Sequence, residues 1–175
     1  MKNLAIIIIA LFLTTSLFAQ EEVKWVTIEE AVELNKSEPR KFMIDVYTDW
    51  CGWCKKMDKE TFTHPEIAAY INKNFYAVKF DAESTEPVTF GGQTFVNEGS
   101  GSRSSHQFAI ALLQGKMSYP SIAYMNENLQ LLKAVPGYQT PERIEPILHF
   151  FAKEKYNDVS FEEFNKNFNS QLSQN

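Results

Sequence analysis

The stretch "VYTDWCGWCKKM", Val46 to Met57, holds both cysteines of the chain and constrains its fold more than any other segment. It follows "KFMIDVYT", a short β-rich run that reads as a buried strand, and it opens the helical segment "KKMDKETF". Two cysteines with a two-residue spacer at such a junction are a structural staple, a metal clip or a reactive pair. A staple is a poor use of them, because so small a loop hardly restricts the unfolded chain. A closed zinc site needs four ligands, and only His64, His106 and His149 could join the cysteines, with no second paired motif. A c-type haem attachment needs His directly after the second cysteine, where Lys55 stands. Thiol-disulfide chemistry suits the pair better. The first turn of a helix offers unsatisfied backbone N–H groups and the positive end of the dipole, so Cys51 is expected as the exposed nucleophile and Cys54 as the resolving thiol one turn further in.

The rest of the chain places this motif in an alternating α/β domain with a central sheet. Thr27 with Glu30 forms a capping box ahead of "IEEAVELNKSE", an amphipathic helix with Ile28, Ala31, Val32 and Leu34 near its apolar side; Pro39 stops it. After the cysteine helix, Thr63 and Pro65 start "PEIAAYINKNF", and "YAVKFDAE" reads as another strand. "PVTFGGQTFVNEGSGSRSS" gives a hairpin around Gly91-Gly92 and then a flexible stretch. "HQFAIALLQGKM" is a helix ending near Gly115, two antiparallel strands flank Asn126-Glu127-Asn128, and Thr140-Pro141 starts a long helix. Ser160 and Glu163 form a second capping box, for a tail helix carrying Phe161, Phe164, Phe168 and Leu172.

Residues 1–19 read as a cleaved signal peptide: Lys2, an apolar run from Leu4 to Leu13, then Ala19. The apolar run is about half the length needed to span a bilayer. The expected organisation is therefore a leader over 1–19, one domain over 20–157 with an insertion at about 84–104, and an amphipathic tail over 158–175. The net charge of -5, with Lys and Arg scattered among acids, does not suit a nucleic-acid partner. A leader implies an oxidising compartment, the periplasm of a Gram-negative cell or otherwise the exterior, where disulfides persist.

"FMIDVYTDWCGWCKKM" resembles the active-site strand and helix of the thioredoxin superfamily, and "SYPSIAYMNENLQLLKAVPGYQTPERIEPILHFF" is similar to that family's cis-proline segment, terminal hairpin and last helix. The likeness covers about residues 40–152, with Val88 to Arg103 unmatched. It implies a thioredoxin-like fold: a central mixed β-sheet flanked by helices, here with an inserted hairpin before the cis-proline segment and a C-terminal helical tail. It also implies roles. Cys51 matches the attacking cysteine and Cys54 the resolving one; Asp45 matches the buried acid that takes the resolving thiol's proton, and Lys79 a lysine near that acid. A charge between Ile44 and Val46 in a buried strand is costly without such a purpose. Pro120 matches the cis-proline facing the pair, the backbone of Tyr119 would pair with an extended substrate, and Trp50, Gly52 and Trp53 complete the docking surface. Trp53 departs from the family, where Pro or His is usual, and leaves the direction of electron flow open. With no cation between the cysteines, a reductant of protein disulfides is expected. An oxidase or isomerase, and a non-catalytic peptide-binding or chaperone-like module, are the alternatives. The resemblance requires no cofactor and no metal; it implies protein disulfides as substrates, a membrane thiol transporter as electron donor, and a monomer.

Overall fold

The computed structural model describes residues 21–101 and 103–172; the leader expected over 1–19 lies outside them. In chain order the elements are β1 (Trp25–Val26), α1 (Ile28–Ser37), β2 (Lys41–Tyr47), α2 (Gly52–Glu60), α3 (Pro65–Asn74), β3 (Phe75–Asp81), β4 (Val88–Phe90), β5 (Gln93–Phe95), α4 (Gln107–Leu113), β6 (Ser121–Met125), β7 (Leu131–Pro136), α5 (Pro141–Ala152) and α6 (Phe161–Lys166). Five strands make one mixed sheet in the order β1-β3-β2-β6-β7. β1 and β2 run parallel to β3, whereas β6 is antiparallel to both β2 and β7. Strand β1 was not expected, since two residues carry no readable alternation.

The near-continuous apolar run of β2 is what a strand covered on both faces requires. Side chains alternate across it. Met43 joins Ala77, Ile122 and Tyr124 on the face covered by α2, α3 and α5, with Met57, Ile71 and Leu148 among their neighbours. Phe42, Ile44 and Val46 face the other way, onto Ile28 and Ala31 of α1 and Phe108 and Leu112 of α4. Asp45 falls in register with Met43, on the α2 side.

The capping box of α1 forms as expected, with Thr27 and Glu30 bonded reciprocally. Leu34 is a correction: it is 44% exposed. At about 100° per residue it stands ~120° round the helix from Ile28, outside the buried stripe. The N-cap position of α3 is His64 rather than Thr63, and its side chain makes no capping bond. In the tail, Ser160 Oγ accepts from the Glu163 N–H, but α6 ends at Lys166. Phe161, Phe164 and Leu172 all reach the core, Leu172 from coil rather than from helix. Phe168, also beyond the helix, sets its ring against Phe164 and the buried His149.

The hairpin β4–β5 is a separate two-stranded sheet. Gly91 and Gly92 adopt φ of 59° and 80°, a pair of left-handed conformations that suits a two-residue turn and favours glycine. The hairpin rests on α4 through Phe90 and Phe95, whose rings lie 5.3 and 5.4 Å from Phe108.

Candidate redox active site

Strand topology gathers the site at one end of the sheet. β2 runs out at Tyr47 beside the end of β3, Tyr47 pairing with Asp81, and β6 begins there with Ser121 paired to Val46. The chain leaving β2 carries Trp50 and Cys51, and the chain entering β6 carries Tyr119 and Pro120. The Tyr119-Pro120 peptide bond is cis. The rings of Trp50 and Tyr119 meet edge to face, 6.0 Å between centroids.

Cys51 and Cys54 are joined as a disulfide. Cys51 is the N-cap of α2, and the backbone N–H of Cys54 donates to its Sγ at 3.0 Å. The same N–H and the helix dipole would favour a thiolate at Cys51 once the bond is reduced. Exposure separates the two cysteines less than expected, at 5% for Cys51 and 2% for Cys54. The bond draws the first sulfur back over the opening turn of the helix. The exposed groups are instead the two tryptophans, Trp50 at 51% and Trp53 at 59%. Gly52 lies on open surface, where an added Cβ would meet nothing within 4 Å.

Asp45 is fully buried. Its Oδ2 accepts from Lys79 Nζ at 3.1 Å, and its Oδ1 has no partner among the described residues. Burial raises its carboxyl from 3.8 to about 6, against the opposing pull of Lys79. Lys79 is the cross-strand partner of Asp45 in the parallel β2–β3 register, which explains their meeting. Its ammonium also pairs with Asp58 of α2 and lies near the rings of Trp25, Tyr47 and Phe62, at 5.0, 5.0 and 5.8 Å. Burial works against this charge, but the two carboxylates outweigh it and hold Lys79 above its ordinary pKa. Removing the cation as Lys79→Met leaves Asp45 only influences that favour its proton. Its titration, followed by carboxyl carbon NMR, is expected above about 6; a midpoint at or below that value would contradict the pairing.

Sequence reading missed several residues here. Asp58, four positions after Cys54, stands one turn along α2 and was open to detection by helical spacing. Glu83, Arg103, Glu60 and Tyr138 gave no such signal. Both oxygens of Glu83 accept from Trp50 Nε1, at 2.9 and 3.0 Å, and the Arg103 guanidinium lies 4.8 Å from the Trp50 ring centroid. Across the disulfide, Trp53 packs on Tyr138 at 5.4 Å, Lys56 lies over both rings, and Tyr138 donates its hydroxyl to Glu60. Of the three histidines, His106 caps α4 through Nδ1, and its Nε2 lies 3.1 Å from the Glu86 carbonyl, a structural role.

A mixed sheet with a cysteine pair at the head of α2, a cis-proline at the adjoining strand end and a buried acid in the strand that leads into α2 defines a thioredoxin-like disulfide oxidoreductase. The chain belongs to the thioredoxin-like domain family, whose model matches residues 28–152. Among curated proteins it is 34% identical over 68 residues to spermatogenesis-associated protein 20 of Rattus norvegicus, a match covering 39% of this chain and 9% of the relative. It is 39% identical over 54 residues to the thiol:disulfide interchange protein DsbD of Haemophilus ducreyi, covering 31% and 9%. The matched segments are thus under a tenth of the length of these relatives. A thioredoxin-fold protein from Helicobacter pylori superposes with a TM-score of 0.56 at 16% identity, covering 73% of this chain and 83% of that one, a likeness of fold.

Proposed function

We propose that the protein reduces protein disulfides in an extracytoplasmic compartment. In the reduced state the Cys51 thiolate attacks one sulfur of a substrate disulfide; a Cys51–substrate bond forms and the other substrate sulfur leaves as thiolate. Cys54 then gives its proton to Asp45 and attacks Cys51 Sγ. The mixed disulfide breaks, the second substrate sulfur leaves, and the Cys51–Cys54 bond is the oxidised product. A dithiol donor restores both cysteines with two electrons and two protons.

The observation that carries this reading is the Cys54 N–H on Cys51 Sγ at the head of α2; in support, the strand leading into α2 carries a buried carboxylate whose Oδ1 has no partner among the described residues. Asp45 is the proton acceptor because burial brings its carboxyl to about 6, near neutrality, and because it faces the side of the sheet that α2 covers. Trp50, Trp53, Gly52 and Tyr119 form the surface on which substrate docks, and Pro120 closes it. Export rests on the leader-like residues 1–19. A membrane thiol transporter as electron donor rests on the family resemblance of the sequence, and the similarity to a thiol:disulfide interchange protein supports exchange with a protein partner.

The reduction potential of the pair tests the direction. Equilibration against glutathione or dithiothreitol is expected to give a value near the ~-270 mV of thioredoxin, and a value near ~-120 mV would make the protein an oxidant.

A further inference from the structure

Trp50 is half exposed beside the disulfide yet held on three sides. Its indole N–H is shared between both oxygens of Glu83, the Arg103 guanidinium covers its ring, and the ring of Tyr119 meets it edge to face. The first two contacts come from the chain between β3 and α4: Glu83 closely follows β3, and Arg103 ends the stretch, Val88 to Arg103, that the family resemblance leaves unmatched. That segment is anchored independently of Trp50. The Asn97 side-chain amide donates to the carbonyls of Glu83, Ser84 and Ser104, and the Glu83 N–H donates to Asp81 Oδ1. His106 N–H donates to the Ala82 carbonyl at 2.7 Å. Both ends of the segment are thereby tied to the end of β3, with Glu83 near one end and Arg103 near the other.

Arg103 makes no ion pair among the described residues. The contrast with the other wall of the site is informative, because Lys56 covers Trp53 and Tyr138 but also pairs with Glu60 at 3.7 Å. The Arg103 guanidinium lies instead against the face of Trp50.

We propose that Glu83 and Arg103 are positioning residues for substrate recognition: they fix Trp50 as a rigid surface beside Cys51, so that the segment between β3 and α4 governs which protein disulfides are taken. A large side chain already fixed in its bound orientation loses less conformational freedom when substrate docks. The gain applies to a polypeptide substrate that packs against the indole, and not to a small disulfide that reaches only the sulfur. The inference rests on thiol-disulfide exchange at Cys51, as proposed above, but not on its direction.

The test compares two substrates, insulin and hydroxyethyl disulfide, with dithiothreitol as electron donor. Glu83→Ala and Arg103→Ala are each expected to raise KM for insulin about three- to tenfold, from loss of a charge-assisted hydrogen bond or a cation–π contact, with kcat within about twofold. Arg103→Lys keeps a cation on the ring and should recover most of the loss. Reduction of hydroxyethyl disulfide should not change. In a Trp50→Ala background, Arg103→Ala should have no further effect, since it acts through the indole. Equal losses on both substrates, an unchanged KM for insulin, or additive effects of Trp50→Ala and Arg103→Ala would each overturn the proposal. Absence of wild-type activity on hydroxyethyl disulfide would instead count against the exchange reaction itself.

Discussion

Replacing Cys54 with Ser leaves a protein that attacks disulfides but cannot let go of them, and substrates accumulate covalently attached through Cys51. Replacing Cys51 with Ser abolishes turnover, down to the uncatalysed background, with nothing attached. The asymmetry follows from the positions of the two thiols. Cys51 is the N-cap residue, with an N–H directed at its sulfur and the positive end of α2 behind it. Cys54 lies inside the first turn and supplies that N–H rather than receiving one, so the attacking role falls to Cys51. The mixed disulfide is resolved by the only other cysteine in the chain, and removing it closes that route. Non-reducing gel shifts of the Cys54→Ser protein against those of Cys51→Ser read the result. Attachment through Cys54 in the second variant, or none in the first, would reverse or remove the assigned roles. A pure binding module would retain the same partners without either cysteine.

Asp45→Asn is expected to stabilise the oxidised protein, and only above a certain pH. Burial holds the carboxyl at about 6, against 3.8 in the ordinary case, so the folded chain keeps this proton where the unfolded chain has lost it. For a group whose folded pKa is raised, stability is full below the unfolded value and is lost as pH rises through the folded one. At about 1.4 kcal/mol per unit, the charged carboxylate costs about 3 kcal/mol above pH 7 and almost nothing at pH 4. Asn removes the ionisation but brings an amide that needs partners of its own, and it leaves Lys79 with Asp58 as its remaining carboxylate. A net gain of about 1–3 kcal/mol is therefore expected at pH 8, with little at pH 4, in urea unfolding of the disulfide form. An equal gain at both pH values would assign the effect to packing. On the proposed mechanism the same substitution also prolongs the life of the mixed disulfide, because Cys54 loses its proton acceptor.

The site was legible where its signal is local. The apolar run of β2, the two-residue cysteine spacer, the Thr27–Glu30 cap and the Gly91-Gly92 turn each depend on neighbours in sequence, and each appears in the structure. Asp45 stood out because a charge inside a buried strand conflicts with its surroundings. What escaped notice depends on distance along the chain. Glu83 reaches Trp50 across 33 residues, and Arg103 sits in a Gly/Ser-rich stretch with no periodicity to point it anywhere. Lys79 was indicated by the family resemblance alone, and it is the parallel register that sets it opposite Asp45. In the tail, the near-helical spacing of the aromatic residues indicated a longer helix than forms. Burial of Leu172, and the bonds from Ser170 Oγ and the Gln171 N–H to Glu145, bind that coil to α5 without helical geometry.

The β4–β5 strands pair with each other and not with the main sheet. Their lengthening, shortening or exchange therefore breaks no ladder bond in β1-β3-β2-β6-β7, and the cysteines, Asp45 and Pro120 hang on that ladder and on α2. On the proposal that the segment between β3 and α4 sets the choice of partner, chemistry and choice are carried by parts that can vary separately. A lineage, or an engineer, could retarget such a protein by grafting a different hairpin between β3 and α4 while its electron-transfer machinery stayed as it was.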